Sequence, residues 1–249
     1  MTRAFVAGAT GYTGREVVRE LCRQGVETVA HVRPDSSRLD RWREEFSQVG
    51  AAVDATPWES ESMAATLGRL QPDLVFALLG TTRARGRRAN REPGQRDSYE
   101  SVDYGLTRLL LDAVATVAPQ VRFLYLSSIG VREGTRNPYL AVRARLEAEL
   151  RQSGLSYVIA RPGLITGPDR EESRPAERMA SVVLDGALAL AGMLGGKSLQ
   201  RRYASMNAAT LARALVRAAT LPDRAQLLEA EALRTLAEAS GSSALMLSS

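Results

Sequence analysis

Short apolar runs alternate with longer stretches of helical periodicity along most of the chain. RAFVAG (3–8), ETVAHVR (27–33), GAAVDA (50–55), DLVFALLG (73–80), VRFLYLSS (121–128) and SYVIARPG (156–163) read as six strands, each a brief apolar run followed by turn residues or a helical pattern. The fourth is almost wholly apolar, as expected of a strand buried on both faces. Between the strands apolar positions recur at three and four residues, which predicts helices near 13–24, 36–47, 59–70, 98–117 and 138–152. In the first of them Val17, Val18 and Leu21 share the inward face.

This alternation predicts an α/β fold, a Rossmann-type doubly wound parallel sheet with helices on both faces and right-handed crossovers. Beyond Gly163 the pattern fades into loops and helices near 175–195, 207–219 and 224–238. Residues 1–240 therefore read as one Rossmann-type domain, with about 163–206 as a small C-terminal, substrate-side lobe and 241–249 as a flexible tail.

Composition narrows the class. Apolar residues make up 45% and charged residues 24% of 249, ordinary for a globular chain large enough to bury a core. No apolar run reaches the ~18 residues of a membrane span, and the nearest, 179–194, is interrupted by Asp185. The start shows no leader pattern, and a single cysteine, Cys22, fits a reducing compartment, so a cytoplasmic protein with no membrane partner is expected. Lys197 is the only lysine, so the net charge of +5 is carried by arginine, and arginine count alone carries no argument. The loop 83–96 holds six arginines, but its nearest aromatic is Tyr99 and no nucleic-acid motif accompanies it. It reads as a loop beside the ligand site, and no nucleic-acid partner is expected. One histidine and one cysteine are too few for a typical transition-metal site, and His31, inside the second strand, reads as packing.

VAGATGYTGREVV places Gly8, Gly11 and Gly14 between the first strand and the first helix. Glycines there permit a tight turn, let the backbone approach a pyrophosphate and allow close strand–helix packing, with Thr10, Tyr12 and Thr13 beside them. The second strand ends in HVRPDSSR, where an NAD site would carry an acid. Arg33, Ser36 and Arg38 suit a 2′-phosphate instead, so NADP(H) is expected over NAD(H), with Asp35 softening the preference. Asp54 ends the third strand, where it is either an adenine acceptor or a plain turn aspartate. Leu79, Gly80, Thr81 and Thr82 lie beside the expected dinucleotide.

In this order GATGYTG, GTTR, YLSSIG, Tyr139-x-x-x-Arg143 and RPG resemble the atypical short-chain dehydrogenase/reductase superfamily over about residues 3–215. YLSSIG, YLAVRARLEAEL and RPGLITGPDREESRP are similar to its NAD(P)H-binding, NmrA-like members, most of all the Tat-interacting-protein-like branch. The resemblance implies that Gly8, Gly11, Tyr12, Thr13 and Gly14 line the pyrophosphate, and Arg33 the 2′-phosphate. It implies that Ser128 holds a substrate carbonyl with Ser127 as neighbour, that Tyr139 is the general acid, and that Pro162 and Gly163 pass the nicotinamide. Arg143 stands where the family has lysine.

A carbonyl reduced by hydride needs a proton donor, and a cation near tyrosine favours the phenolate left after transfer. Arginine keeps the charge but is planar and does not lose its proton to a relay. The local reading of the same stretch is that Asn137-Pro138 starts a helix and Arg143 pairs with Glu147. Two functions follow: an NADP(H)-dependent oxidoreductase acting on a carbonyl or alcohol, or a cofactor-binding redox sensor acting through a protein partner. A third reading makes 179–194 the interaction helix of an assembly factor, and a homodimer and a regulatory protein partner both stay open as associations.

Overall fold

The computed structural model describes residues 1–80, 99–166 and 205–239. β1 (Arg3–Ala7), α1 (Tyr12–Arg23), β2 (Glu27–His31), α2 (Leu39–Gln48), β3 (Ala52–Asp54), α3 (Ser60–Leu70) and β4 (Leu74–Ala77) form the first half. A π-helical segment (Tyr99–Leu106) then runs into α4 (Thr107–Val117), β5 (Arg122–Leu126), α5 (Pro138–Gln152), β6 (Ser156–Arg161) and the short β7 (Ile165–Thr166). β8 (Met206–Asn207), α6 (Ala208–Ala218), β9 (Ala225–Glu229) and α7 (Ala230–Glu238) complete the described chain. The main sheet runs β3-β2-β1-β4-β5-β6-β9, and every pairing in it is parallel.

The alternation of side chains along each strand divides the core. Ala4, Val6, Phe76, Leu124 and Val158 face α1, α2, α6 and α7, whereas Phe5, Ala7, Val75, Phe123 and Ile159 face α3, α4 and α5. In α1, Val17, Val18 and Leu21 are fully buried, which matches the inward face expected of it. The strands stop before their apolar runs do. Leu78–Gly80, Ser127–Ser128 and Pro162–Gly163 thus leave the sheet at the C-terminal ends of β4, β5 and β6.

Two expectations need correction. Residues 224–238 are not one helix: Ala225–Glu229 form β9, paired with β6 from Tyr157↔Ala225 to Arg161↔Glu229, before α7 begins. The helix-favouring AQLLEAEAL is overridden because the open edge of β6 offers a complete ladder of backbone partners. β7 and β8 also form an unexpected parallel pair, joining Ile165–Thr166 to Met206–Asn207. Most of the expected lobe, the helix near 175–195 and the tail 241–249 lie outside the described residues.

One ionic cluster pins α5 to the sheet. Glu147, 1% exposed, accepts from Ser127 Oγ at 2.6 Å, from Arg151 Nη2 at 2.8 Å, and from Arg161 Nε and Nη2 at 2.9 and 2.6 Å. Arg161 also reaches Glu229 on β9 at 3.0 Å. Burial opposes ionisation of Glu147, but the bonds from Arg161, Ser127 and Arg151 outweigh it and hold its pKa below the ordinary value.

Removing one member of a buried ionic cluster leaves its partner uncompensated, so Glu147→Gln is expected to cost about 3 kcal/mol and lower the Tm by about 6–12 °C. Because the folded pKa is depressed, this contribution is complete above the unfolded value of about 4.3 and is lost as pH falls through the folded value. Urea unfolding across that acid range should therefore show a steeper loss of stability for the native protein than for Glu147→Gln.

Candidate functional site

The turn after β1 is built by steric exclusion. Gly8 has φ +82°, and a Cβ there would lie 2.6 Å from the Leu78 carbonyl oxygen. A Cβ on Gly14 would lie 2.1 Å from the Gly8 carbonyl oxygen. Both clashes are with backbone, so only glycine fits. Gly11 donates its N–H to Gly8 O at 3.0 Å and is the N-cap of α1, where no side chain caps the helix. The first-turn amides of α1 are thereby open to an anion at the positive end of the helix. Thr10 and Tyr12 are half-buried, Thr13 is buried, and the Tyr12 hydroxyl donates to Thr166 O at 3.2 Å.

At the end of β2 the turn brings Arg33, Ser36 and Arg38 together, with Ser36 N donating to Arg33 O at 3.1 Å. Arg33 pairs with Asp35 at 3.5 Å in an exposed contact, and Arg38 lies 5.5 Å over the Trp42 ring. Asp54 accepts from Thr56 N at 3.0 Å and Thr56 Oγ1 at 3.1 Å, the turn arrangement of its two alternatives. His31 is buried between Phe5 and Trp58, with Nε2 2.8 Å from Thr56 O, and burial pushes its pKa down. Cys22 packs half-buried against the core, and burial raises its thiol pKa.

The other side of the crevice is set by α5. Asn137 Oδ1 accepts from Tyr139 N at 3.0 Å and Leu140 N at 3.3 Å, and Pro138 occupies the first turn. One turn further on, Arg143 is buried with its guanidinium carbon 4.6 Å from the Tyr139 ring centre. Nη1 donates to Leu126 O at 2.5 Å and the Tyr125 hydroxyl at 3.4 Å, and Nη2 donates to Asp103 Oδ1 at 3.1 Å. A Cβ on Gly80 would lie 3.8 Å from that Nη2. The guanidinium therefore spans the ends of β4 and β5.

The expected Arg143–Glu147 pair is corrected: Arg143 pairs with Asp103, and Glu147 with Arg151 and Arg161. Residues four apart on α5 face different partners here because the sheet supplies Arg161 to one and the π-helical segment supplies Asp103 to the other. Burial opposes the charge on Arg143, but Tyr125, Tyr139 and Asp103 outweigh it and hold the pKa above its ordinary value. Burial pushes the Tyr125 phenol up as well, against the pull of Arg143. Asp103 was not among the residues singled out from sequence. Its signal was spacing, since 103, 107, 110 and 114 form one buried stripe that places an acid in line with the core.

The β5 and β6 loops are tied by Ser127 N to Ala160 O at 2.8 Å and Ile129 N to Pro162 O at 3.0 Å. That joins the Ser128 and Pro162–Gly163 segments at one edge. Ser128 is half-buried and donates to Ile129 O at 3.3 Å. Ser127 departs from the expected cofactor role: it is 4% exposed and its hydroxyl is committed to Glu147. Leu79 and Gly80 reach the crevice, whereas Thr81, Thr82, the arginine-rich stretch 83–96 and the GPDREESRP segment after Thr166 lie outside the described residues. Among the described residues no cluster could hold a metal ion, and no helix is long and apolar enough to cross a membrane.

Three features fit a dinucleotide: the cradle that a Cβ would fill, the uncapped start of α1, and Arg143 Nε, buried without a partner among the described residues. Residues 8–186 match the family described as NAD(P)H-binding. The chain belongs to that family. That family places it in the atypical short-chain dehydrogenase/reductase superfamily. It is 26% identical over 199 residues to the protein fmp52, mitochondrial, of Aspergillus niger, covering 78% of this chain and 77% of that one. It is 34% identical over 171 residues to divinyl chlorophyllide a 8-vinyl-reductase of Oryza sativa subsp. indica, covering 65% of this chain and 39% of the reductase. A putative NAD-dependent epimerase/dehydratase from Bacillus halodurans shares the fold at TM-score 0.60 and 19% identity, over 96% of this chain and 99% of that one. The expectation of a cytoplasmic protein is withdrawn, because the matching fmp52 proteins of five Aspergillus and Emericella species are named mitochondrial.

Gly14→Ala would force a Cβ into the Gly8 carbonyl and displace the start of α1. Calorimetric titration with NADPH is expected to show binding weakened by more than about tenfold, an energy of about 1.4 kcal/mol or more.

Proposed function

We propose that the chain is an NADP(H)-dependent oxidoreductase that interconverts a carbonyl and an alcohol. The observation that supports this reading best is the Arg143 guanidinium 4.6 Å from the Tyr139 ring, at the same sheet edge as the glycine cradle. When bound, the nicotinamide supplies or accepts the hydride. The amides at Gly11–Gly14 would hold the pyrophosphate, and Arg33, Ser36 and Arg38 the 2′-phosphate, with Asp35 tempering the charge of Arg33. Leu79, Gly80, Pro162 and Gly163 would line the cofactor.

In the direction of reduction, the Ser128 hydroxyl donates to the substrate carbonyl oxygen and orients it. Tyr139 gives its phenolic proton to that oxygen as the carbonyl carbon takes the hydride, so one C–H and one O–H bond form and the C=O π bond is lost. Solvent then returns the proton to Tyr139, whose ring packs 4.6 Å from the Arg143 guanidinium.

A second reading, a redox sensor that binds NADPH without turnover, draws on the commitment of Arg143 to Asp103 and Leu126 O, which limits what the cation can do for a substrate. Tyr139→Phe separates the two. An oxidoreductase loses about 100- to 10,000-fold in turnover over a panel of aldehydes and ketones, while NADPH affinity by calorimetry stays within about threefold. A panel that is not turned over by the native protein, with NADPH bound much more tightly than NADP⁺, favours the sensor. For the cofactor, Arg33→Ala is expected to weaken NADPH by about tenfold or more and leave NADH within about twofold. Equal weakening of both would contradict the 2′-phosphate role.

A further inference from the structure

Three buried carboxylates stand out among the described residues: Glu20, Glu147 and Asp103. Glu20 pairs with Arg23 on the surface of α1, and Glu147 anchors α5 to β5 and β6. Asp103 alone of these three lies at the crevice, 3.1 Å from Arg143 and 3.7 Å from where a Cβ on Gly80 would be. Its side chain is 2% exposed and that of Arg143 is 7% exposed, so water screens the pair little.

A planar guanidinium takes fixed partners where an ammonium would swivel. Here Nη1 is held by Leu126 O and the Tyr125 hydroxyl, and Nη2 by Asp103, which fixes the plane across the ends of β4 and β5. The titratable groups facing Arg143 are Asp103 from the π-helical segment, Tyr125 from β5 and Tyr139 from its own helix. Gly80 at the end of β4 brings no charge, and Glu147, behind Tyr125, acts electrostatically on that phenol. An anion at 3.1 Å offsets much of the field that a lone cation would exert on a phenol one helical turn away.

We propose that Asp103 is a positioning residue for proton transfer at Tyr139: it clamps the Arg143 guanidinium across the strand ends and offsets its charge. The role in turnover rests on the oxidoreductase reading above; the electrostatic effect on Tyr139 does not. Arginine at this position thus comes with its own counter-ion, and the effective unit is Tyr139–Arg143–Asp103.

The test is a phenolate titration, which needs neither substrate nor cofactor. Ultraviolet difference absorbance of the native protein minus Tyr139→Phe isolates Tyr139, and the same subtraction is made in the Asp103→Asn background. Asparagine keeps the shape and the acceptor oxygen but removes the charge. The Tyr139 phenolate is expected to form at lower pH in Asp103→Asn, by about tenfold or more in proton concentration. An unchanged titration in a protein whose circular dichroism and Tm show it folded would overturn the proposal and leave Asp103 a structural acid. Should the uncompensated Arg143 prevent folding, the neutral pair Asp103→Asn/Arg143→Gln carries the test. Offset charges predict a Tyr139 titration within about twofold of native in that double variant, and a shift to higher pH by about tenfold would refute them. A shift in Asp103→Asn that moves the pH profile of kcat links the effect to catalysis. The same shift in a protein that turns over no carbonyl keeps Asp103 acting on Tyr139 while removing the oxidoreductase reading.

Discussion

The buried carboxylate of Glu147 sets the position of α5, which forms one side of the crevice. It accepts from β5 through Ser127, from β6 through Arg161, and from its own helix through Arg151, so α5 is fixed in rotation as well as height. A helix held by apolar contacts alone can slide or turn at modest cost. One held by charge-assisted bonds from two strands has a single arrangement that satisfies them. With that rotation fixed, Arg143 and Tyr139, one and two turns earlier, are carried to the strand ends. Asn137 caps the N-terminus of the helix and so sets where its first turn, with Tyr139, begins.

The cofactor side depends on a different kind of constraint. Gly8 and Gly14 bring the backbone of β1, the end of β4 and the start of α1 closer together than any side chain allows. That edge is defined by exclusion and the α5 edge by ionic satisfaction. The crevice lies between two independently determined walls, with Gly80 as the place where they approach, since Arg143 of one wall reaches over the strand that adjoins the other.

The six strands of the first two thirds were legible because each carries its own period and its own turn residues, and the turn after β1 because Gly8, Gly11 and Gly14 mark it at intervals of three. β9 was not legible: Ala225–Glu229 has a helical composition, and only the vacant edge of β6 makes it a strand. The closeness of Tyr139 and Arg143 on one helix face was legible, but the partner of Arg143 was misassigned to Glu147. Local spacing offers the residue four away, and the true partner is 40 residues distant, supplied by a segment whose approach the sequence does not encode locally. Ser127 and Ser128 look equivalent in a string, and only the direction of the pleat separates the one bound to Glu147 from the one at the crevice.

The strand at the far edge bears on where the chain can be cut. The family match ends at 186, yet α6, β9 and α7 all follow it. Leu211 and Leu215 of α6 bury against the Val17 and Leu21 face of α1, and β9 gives Arg161 its second carboxylate. A fragment trimmed to the matched residues would uncover one whole side of α1, the helix that follows the glycine turn, and leave β6 as a bare edge free to pair with another chain. Fragments for binding studies or fusions should therefore extend to Glu238, because the boundary suggested by similarity falls inside the cooperative unit.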